Sequence, residues 1–163
     1  MKRLFTPWRY DYIVSEKDSE CIFCKARECD CDDPVLILYR GREVFTIVNR
    51  FPYNNGHIMI APSEHVSALE EISVSALEEM ARILKETERI LKEAYRPTGF
   101  NVGMNLGRTS GAGIPEHLHL HIVPRWEGDS SFMTVFDDTR VIPERIEDTY
   151  AKLKPKFDKL VRV

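Results

Sequence analysis

The sequence predicts an α+β fold: a mainly antiparallel sheet of about five strands, with one long helix and a C-terminal helix packed on it. Three observations predict it. Short runs rich in β-branched and aromatic residues fill 35–62 and 99–125. Between them lies one long segment of helical period. No internal repeat or Gly/Ser/Pro-rich linker divides the chain, so strands, one long helix and further strands belong to one architecture.

The chain has 163 residues, enough for a single domain over 1–163 to bury a core without cross-links, and the expected core spans about 21–125 with 126–163 as a C-terminal extension. A net charge of -3 argues against a chain whose main partner is nucleic acid or an anionic membrane. An anionic ligand must therefore be met by a local site. The start, MKRLFTPWRYDY, carries no apolar run of signal-peptide type, and no segment approaches membrane-spanning length. The expected location is cytoplasmic.

The elements follow in order. VLILYRGREVFTIV, residues 35–48, reads as two strands around Arg40-Gly41-Arg42, and the loop NRFPYNNG leads into a third strand, HIMIAP. From about Ser73 to Tyr95, residues Leu77, Met80, Ala81, Leu84, Leu91, Ala94 and Tyr95 recur at helical spacing. Ser75 with Glu78 fits a capping box, Pro97 and Gly99 stop the helix, and its Glu, Lys and Arg residues read as a solvated face. GFNVGMN is a strand, LGRTSGAGIPE a glycine-rich loop and HLHLHIVPR another strand. Pro143 to about Phe157 forms the C-terminal helix.

HLHLHIVPR spends three of the chain's five histidines within five residues. Alternate residues of a strand share a face, so His117, His119 and His121 form a row while Leu118, Leu120 and Ile122 face the core. Such a row can ligate a metal, bind an anionic group such as phosphate, or supply a nucleophile whose neighbours hold its tautomer and stabilise developing charge. The nearby GRTSGAG offers unobstructed backbone N–H groups with the Thr109 and Ser110 hydroxyls as phosphate contacts. The plain alternative is a solvated row beside a flexible turn.

HLHLHIV resembles the His-x-His-x-His-x-x signature of the histidine triad (HIT) superfamily, and NRFPYNNGHIMIAPSEHV resembles the block that precedes it. The stretch from Gly103 to Met133 is most similar to the branch acting on diadenosine tetraphosphate and its relatives. This resemblance implies a HIT-like fold and a nucleotide hydrolase or phosphorylase that works at the α-phosphate through a nucleotidyl-histidine intermediate. It implies His119 as nucleophile, His121 as the phosphate-contacting third histidine and His57 as the additional active-site histidine. It implies Asn49 at a ribose-binding position, Asn105 at a phosphate-contacting position, and Ser110 and Gly111 in the phosphate loop. The chain departs from many relatives in having Gly113 where a glutamine is expected, and its loop between Asn105 and His117 is about one residue longer. His121 separates it from the transferase branch, which has glutamine there.

All four cysteines fall in CIFCKARECDC, a clustering that in a reducing compartment indicates metal binding or redox chemistry more than disulfides. Cys21-x-x-Cys24 supplies half of a tetrahedral zinc site. The resemblance implies His65 and His117 as the other half, making a closed structural zinc site. Two alternatives stay open: reduced thiols without metal, and an all-cysteine site that includes Cys29 and Cys31.

Two other functions remain beside the leading one: a phosphoramidase releasing AMP from adenylylated amines, and a nucleotide-binding interaction module with little catalysis. Magnesium is expected only as a companion of the substrate, since no carboxylate cluster demands it. The resemblance also implies a homodimer. Arg108, Arg125, Trp126 and Phe132 are further residues near the motif, read first as surface or packing groups.

Overall fold

The computed structural model describes residues 21–32, 34–129, 142 and 144–160. The elements among them are α1 (Ile22–Glu28), β1 (Ile37–Arg40), β2 (Val44–Val48), β3 (Ile58–Pro62), α2 (Val74–Tyr95), β4 (Gly99–Met104), β5 (Leu120–Arg125) and α3 (Ile146–Phe157). The strands form one sheet in the order β1-β2-β3-β5-β4, each pairing antiparallel. The expected α+β class, with a five-stranded sheet, a long helix and a C-terminal helix, is borne out.

Strands β2 and β3 are buried at every position, so both faces of the sheet centre are covered. Helices α2 and α3 pack on each other, α2 also on β3 and α3 also on β1. Helix α1 covers the histidine-bearing face, where Phe23 meets Phe45 of β2. Aligned registers put Ile47, Met59, His121 and Gly103 in one row across four strands. The period of the strand thereby fixes which face His121 occupies.

Five expectations change in detail. The last strand begins at Leu120, not His117. Continuing the β3–β5 register would set Leu118 opposite Pro62, which has no N–H to donate, and Leu118 N–H instead bonds to the Val66 carbonyl at 2.7 Å. His117 and His119 thus lie in the segment leading into the strand. The cap of α2 is Ser73, whose Oγ accepts from the Ala76 N–H, while Ser75 Oγ bonds to Glu43.

The buried stripe of α2 is also rotated from the expected one. Leu77 is 40% exposed and Ala81 is exposed, whereas Ile83 and Ile90 are 1% exposed. Glu79 departs from the solvated face altogether: it is buried and accepts the N–H groups of Arg42 (3.0 Å) and Glu43 (2.7 Å), capping the β1–β2 turn. Helix α3 begins at Ile146 rather than Pro143. Glu144, just before it, accepts from the Tyr95 hydroxyl of α2 at 2.6 Å and from Thr149 at 2.9 Å.

Candidate functional site

His57 stands at the entrance to β3 and is fully buried. The residue before it, Gly56, has φ 71°, and a Cβ there would lie 3.2–3.3 Å from Tyr95, Leu91 and Pro124. Glycine answers both constraints. On the ring, Nδ1 accepts the Tyr53 backbone N–H at 3.1 Å. The amide of Asn49 also faces it, Nδ2 at 3.2 Å, and its orientation is fixed because Oδ1 accepts the Phe51 N–H at 2.9 Å. With two donors aimed at Nδ1, the proton of neutral His57 sits on Nε2.

That proton has one destination. His57 Nε2 lies 2.9 Å from His121 Nδ1, so His121 Nδ1 is the acceptor and its own proton sits on Nε2. This Nε2 is buried without a hydrogen-bond partner among the described residues. The chain of tautomers therefore ends in an N–H donor without a hydrogen-bond partner among the described residues. A buried donor left unmade costs about 1–3 kcal/mol, a cost tolerated where a ligand can meet it.

His119 is oriented independently. Its Nδ1 is 2.7 Å from the His117 carbonyl, which can only accept, so Nδ1 carries the proton and Nε2 presents a bare lone pair. The rings of His119 and His121 stand edge to face, centroids 4.8 Å apart. Burial is the main cause that lowers all four imidazoles in the group. His57 falls to about 3, further lowered by His121 and His119; His121 falls to about 4, with His119 contributing. His117 and His119 are lowered as well, each held back by a backbone hydrogen bond. At neutral pH these imidazoles are neutral, the state in which the tautomers just assigned exist.

A second group adjoins the first. Cys21, Cys24, His65 and His117 bring four ligand atoms within 4.8 Å of one another. Cys21 Sγ and Cys24 Sγ lie 3.2 and 3.7 Å from His117 Nδ1, and Cys24 Sγ lies 3.2 Å from His65 Nδ1. Tetrahedral zinc, with bonds of about 2.3 Å to sulfur and about 2.0–2.1 Å to nitrogen, needs edges of about 3.3–3.8 Å. The three close pairs, at 3.2–3.7 Å, lie near those edges, and two thiols with two imidazoles are a donor set zinc takes. His117 Nε2 donates to the Pro62 carbonyl at 3.0 Å, leaving Nδ1 bare toward the cysteines, as a ligating histidine requires. Cys29 and Cys31 lie outside the group; the Cys29 carbonyl is taken by Arg40 at 2.7 Å.

The remaining expected residues are held by other contacts. Extending the β4–β5 register sets Asn105 across from His119. Ser110 donates its hydroxyl to the Gly107 carbonyl at 2.6 Å, closing a 3-10 turn bounded by Gly107 and Gly111, both at positive φ. None of the three makes a hydrogen bond to the histidines among the described residues. Arg108 lines a groove of about 510 Å³ with Leu69, Leu106, Pro115 and Glu116. Arg125 is committed to a bidentate pair with Asp129, at 2.6 and 2.9 Å, and Trp126 donates to the Tyr95 carbonyl. Phe132 lies outside the described residues.

Sequence reasoning missed Tyr53, Phe23 and the Pro62 carbonyl. Tyr53 stacks on His57 with centroids 4.8 Å apart, and Phe23 lies 5.0 Å from His117 and 4.9 Å from His119. Two of these act through backbone atoms, which leave no mark on residue type. Phe23, between Cys21 and Cys24, carried a signal only in its position.

Paired histidines on one sheet face, beside a Cys2His2 group, define a site of histidine triad type, and the HIT domain family model matches residues 32–128. The chain belongs to the HIT family. It is 36% identical over 157 residues to a Mycobacterium tuberculosis protein named AP-4-A phosphorylase, covering 91% of this chain and 80% of that one. Its fold is similar to a Zn-bound histidine triad family protein from Mycobacterium smegmatis, with a TM-score of 0.69 at 26% identity over 86% of this chain and 94% of that one. It also resembles a hypothetical histidine triad nucleotide-binding protein from Sulfolobus tokodaii, with a TM-score of 0.67 at 26% identity over 86% and 93%.

Proposed function

We propose that this chain transfers a nucleotidyl group from dinucleoside polyphosphates of the diadenosine tetraphosphate type to inorganic phosphate or water, through a nucleotidyl-His119 intermediate. The observation that carries this reading is the tautomer of His119: the His117 carbonyl takes the Nδ1 proton and leaves Nε2 free to attack. Nε2 forms a bond to the α-phosphorus, and the bond from that phosphorus to the bridging oxygen breaks, its electron pair leaving with that oxygen on the departing nucleoside polyphosphate, ATP in the case of diadenosine tetraphosphate. The unpartnered Nε2–H of His121, its orientation held by His57, meets the phosphate oxygens as charge develops. Attack of phosphate on the His119–phosphorus bond then yields ADP; attack of water yields AMP.

Phosphate is the preferred acceptor in this reading, on the strength of the 36% identity to the protein named AP-4-A phosphorylase. Asn49 retains one amide proton and one oxygen lone pair beyond its local bonds, enough for a ribose hydroxyl. Asn105, Ser110 and Gly111 flank the polyphosphate path, and magnesium accompanies the substrate.

The Cys21, Cys24, His65 and His117 group suits zinc by size and donor type. Zinc here would fix structure, four protein ligands leaving no open position for substrate. A reducing, cytoplasmic setting keeps both cysteines reduced and so available as metal ligands. No described helix is long and apolar enough to cross a membrane. Among the described residues strand β4 is an unpaired edge of the sheet, with Val102 49% exposed, which supports a homodimer joined at that edge.

One incubation decides between the reactions. With diadenosine tetraphosphate, ADP plus ATP formed only with phosphate present establishes the phosphorylase. ATP plus AMP in water establishes the hydrolase. Turnover of an AMP-amine conjugate alone would replace both with a phosphoramidase, and binding without turnover of any of these would leave an interaction module. Light scattering reads the oligomeric state.

A further inference from the structure

The ring of Phe23 is fully buried between the two groups of the site. It contacts His117 at 5.0 Å, His119 at 4.9 Å and Phe45 at 6.3 Å. Its helix, α1, has only seven residues and no side-chain cap at its start. A helix that short is not stable by itself in water. Its order must come from what holds it at each end.

At the C-terminal end, the Arg40 guanidinium donates to the carbonyls of Ala26, Arg27 and Cys29 at 3.2, 2.7 and 2.7 Å. Arg40 is itself anchored on Asp32 at 2.7 Å. The N-terminal end has Cys21 and Cys24, one on each side of Phe23, facing His117 and His65. Joining these four ligands through a metal ties the start of α1 to the segment that carries the nucleophile. His117 completes the link, since it offers Nδ1 to the cysteines and its carbonyl to His119.

We propose that Phe23 is a positioning residue for the His119 nucleophile, and that metal held by Cys21, Cys24, His65 and His117 keeps it seated. The inference rests on the nucleophile reading above. Backbone and ring then constrain His119 from two directions: the His117 carbonyl fixes its Nδ1, and the Phe23 face limits how far the imidazole can turn. Rotation of the ring would move Nε2 off the line of attack, and a misplacement of about 1 Å can cost on the order of a hundredfold in rate. The metal takes no part in the transfer step. Its effect on chemistry passes through α1.

The test uses Phe23→Leu, which keeps an apolar side chain but removes the ring face, with Phe23→Met as a second variant. Zinc content, affinity for a non-hydrolysable dinucleoside polyphosphate, and the first-turnover rate of nucleotidyl-enzyme formation are measured for each. We expect zinc and affinity to be retained and the first-turnover rate to fall about tenfold or more. A chelator applied to the unmutated protein should raise hydrogen exchange across residues 22–28 and slow nucleotidylation similarly, with zinc restoring both. In Phe23→Leu the chelator should add little, because the two changes act on one path. Nucleotidylation at the unmutated rate in both variants, or an undiminished rate after chelation, overturns the inference while leaving His119 as nucleophile. Absence of any nucleotide linked to His119 in the unmutated protein overturns the nucleophile reading and this inference with it.

Discussion

His119 donates its Nδ1–H to the carbonyl of His117, two residues earlier, at 2.7 Å. One short contact thereby joins the residue facing the metal ligands to the residue presenting a free Nε2. Roles that a row of three alternating histidines leaves undivided are separated by it: His117 turns Nδ1 toward Cys21 and Cys24, while His119 turns Nδ1 to the main chain.

His119→Ala should reduce turnover of diadenosine tetraphosphate by at least a thousandfold, the scale seen when a nucleophile is removed. Nucleotide affinity should stay within a few-fold, since His57, His121 and Asn49 keep their mutual contacts. Isothermal titration with a non-hydrolysable analogue and a product assay measure the two separately. Turnover surviving in this variant would remove His119 from the mechanism.

His117→Ala and Cys24→Ser should behave differently, losing metal and stability. A zinc-saturated protein at a thousandfold excess of free metal over Kd gains about 4 kcal/mol from binding, and these variants forfeit most of that. Metal analysis and thermal melts with and without chelator provide the check. A melting temperature insensitive to chelation in the unmutated protein would count against a structural metal.

Stability should fall in acid through His57 and His121. Their pKa values, about 3 and about 4, lie below the 6.5 of a free imidazole, mainly through burial. Below pH 6.5 the unfolded chain takes up protons at both positions while the folded chain resists until about pH 4 and pH 3. Their contribution is whole above pH 6.5 and is lost as the pH drops toward 3, with a slope of up to about 1.4 kcal/mol per pH unit for each histidine. Denaturant titrations at pH 7.5 and 5.5 should show a smaller difference in His121→Gln than in the unmutated protein. Equal differences would mean that His121 is not held neutral.

Gly56→Ala should destabilise the fold by about 1–3 kcal/mol, from a positive φ and a methyl group forced against Tyr95, Leu91 and Pro124. Because Gly56 precedes His57, activity should fall by more than the unfolded fraction explains. Denaturation midpoints beside kcat for the folded protein distinguish the two effects. Wild-type stability would show that the loop relaxes freely there.

Much of this was legible along the chain. The strand period placed His121 on one face, the helical period of residues 73–95 gave α2, and the family resemblance implied Cys21, Cys24, His65 and His117 as the ligand group that the fold brings together. These signals are local, or belong to a motif whose order along the chain is kept. Helix α1 was not legible, because seven residues without a capping side chain carry too little period to read and are held by Arg40 from another element. Nor was Glu79, a charge in a solvated pattern that burial recruits to cap a turn 36 residues away.

The sequence by itself determined which side chains the chemistry has available: five histidines, three of them alternating at 117, 119 and 121, and the Cys21-x-x-Cys24 pair. Only the tertiary structure decided which nitrogen of each imidazole carries the proton. That choice is made by the Tyr53 N–H and by the Pro62 and His117 carbonyls. Every residue except proline offers the same backbone donor and acceptor, so residue type cannot encode them, and they act only where the fold sets them against a ring.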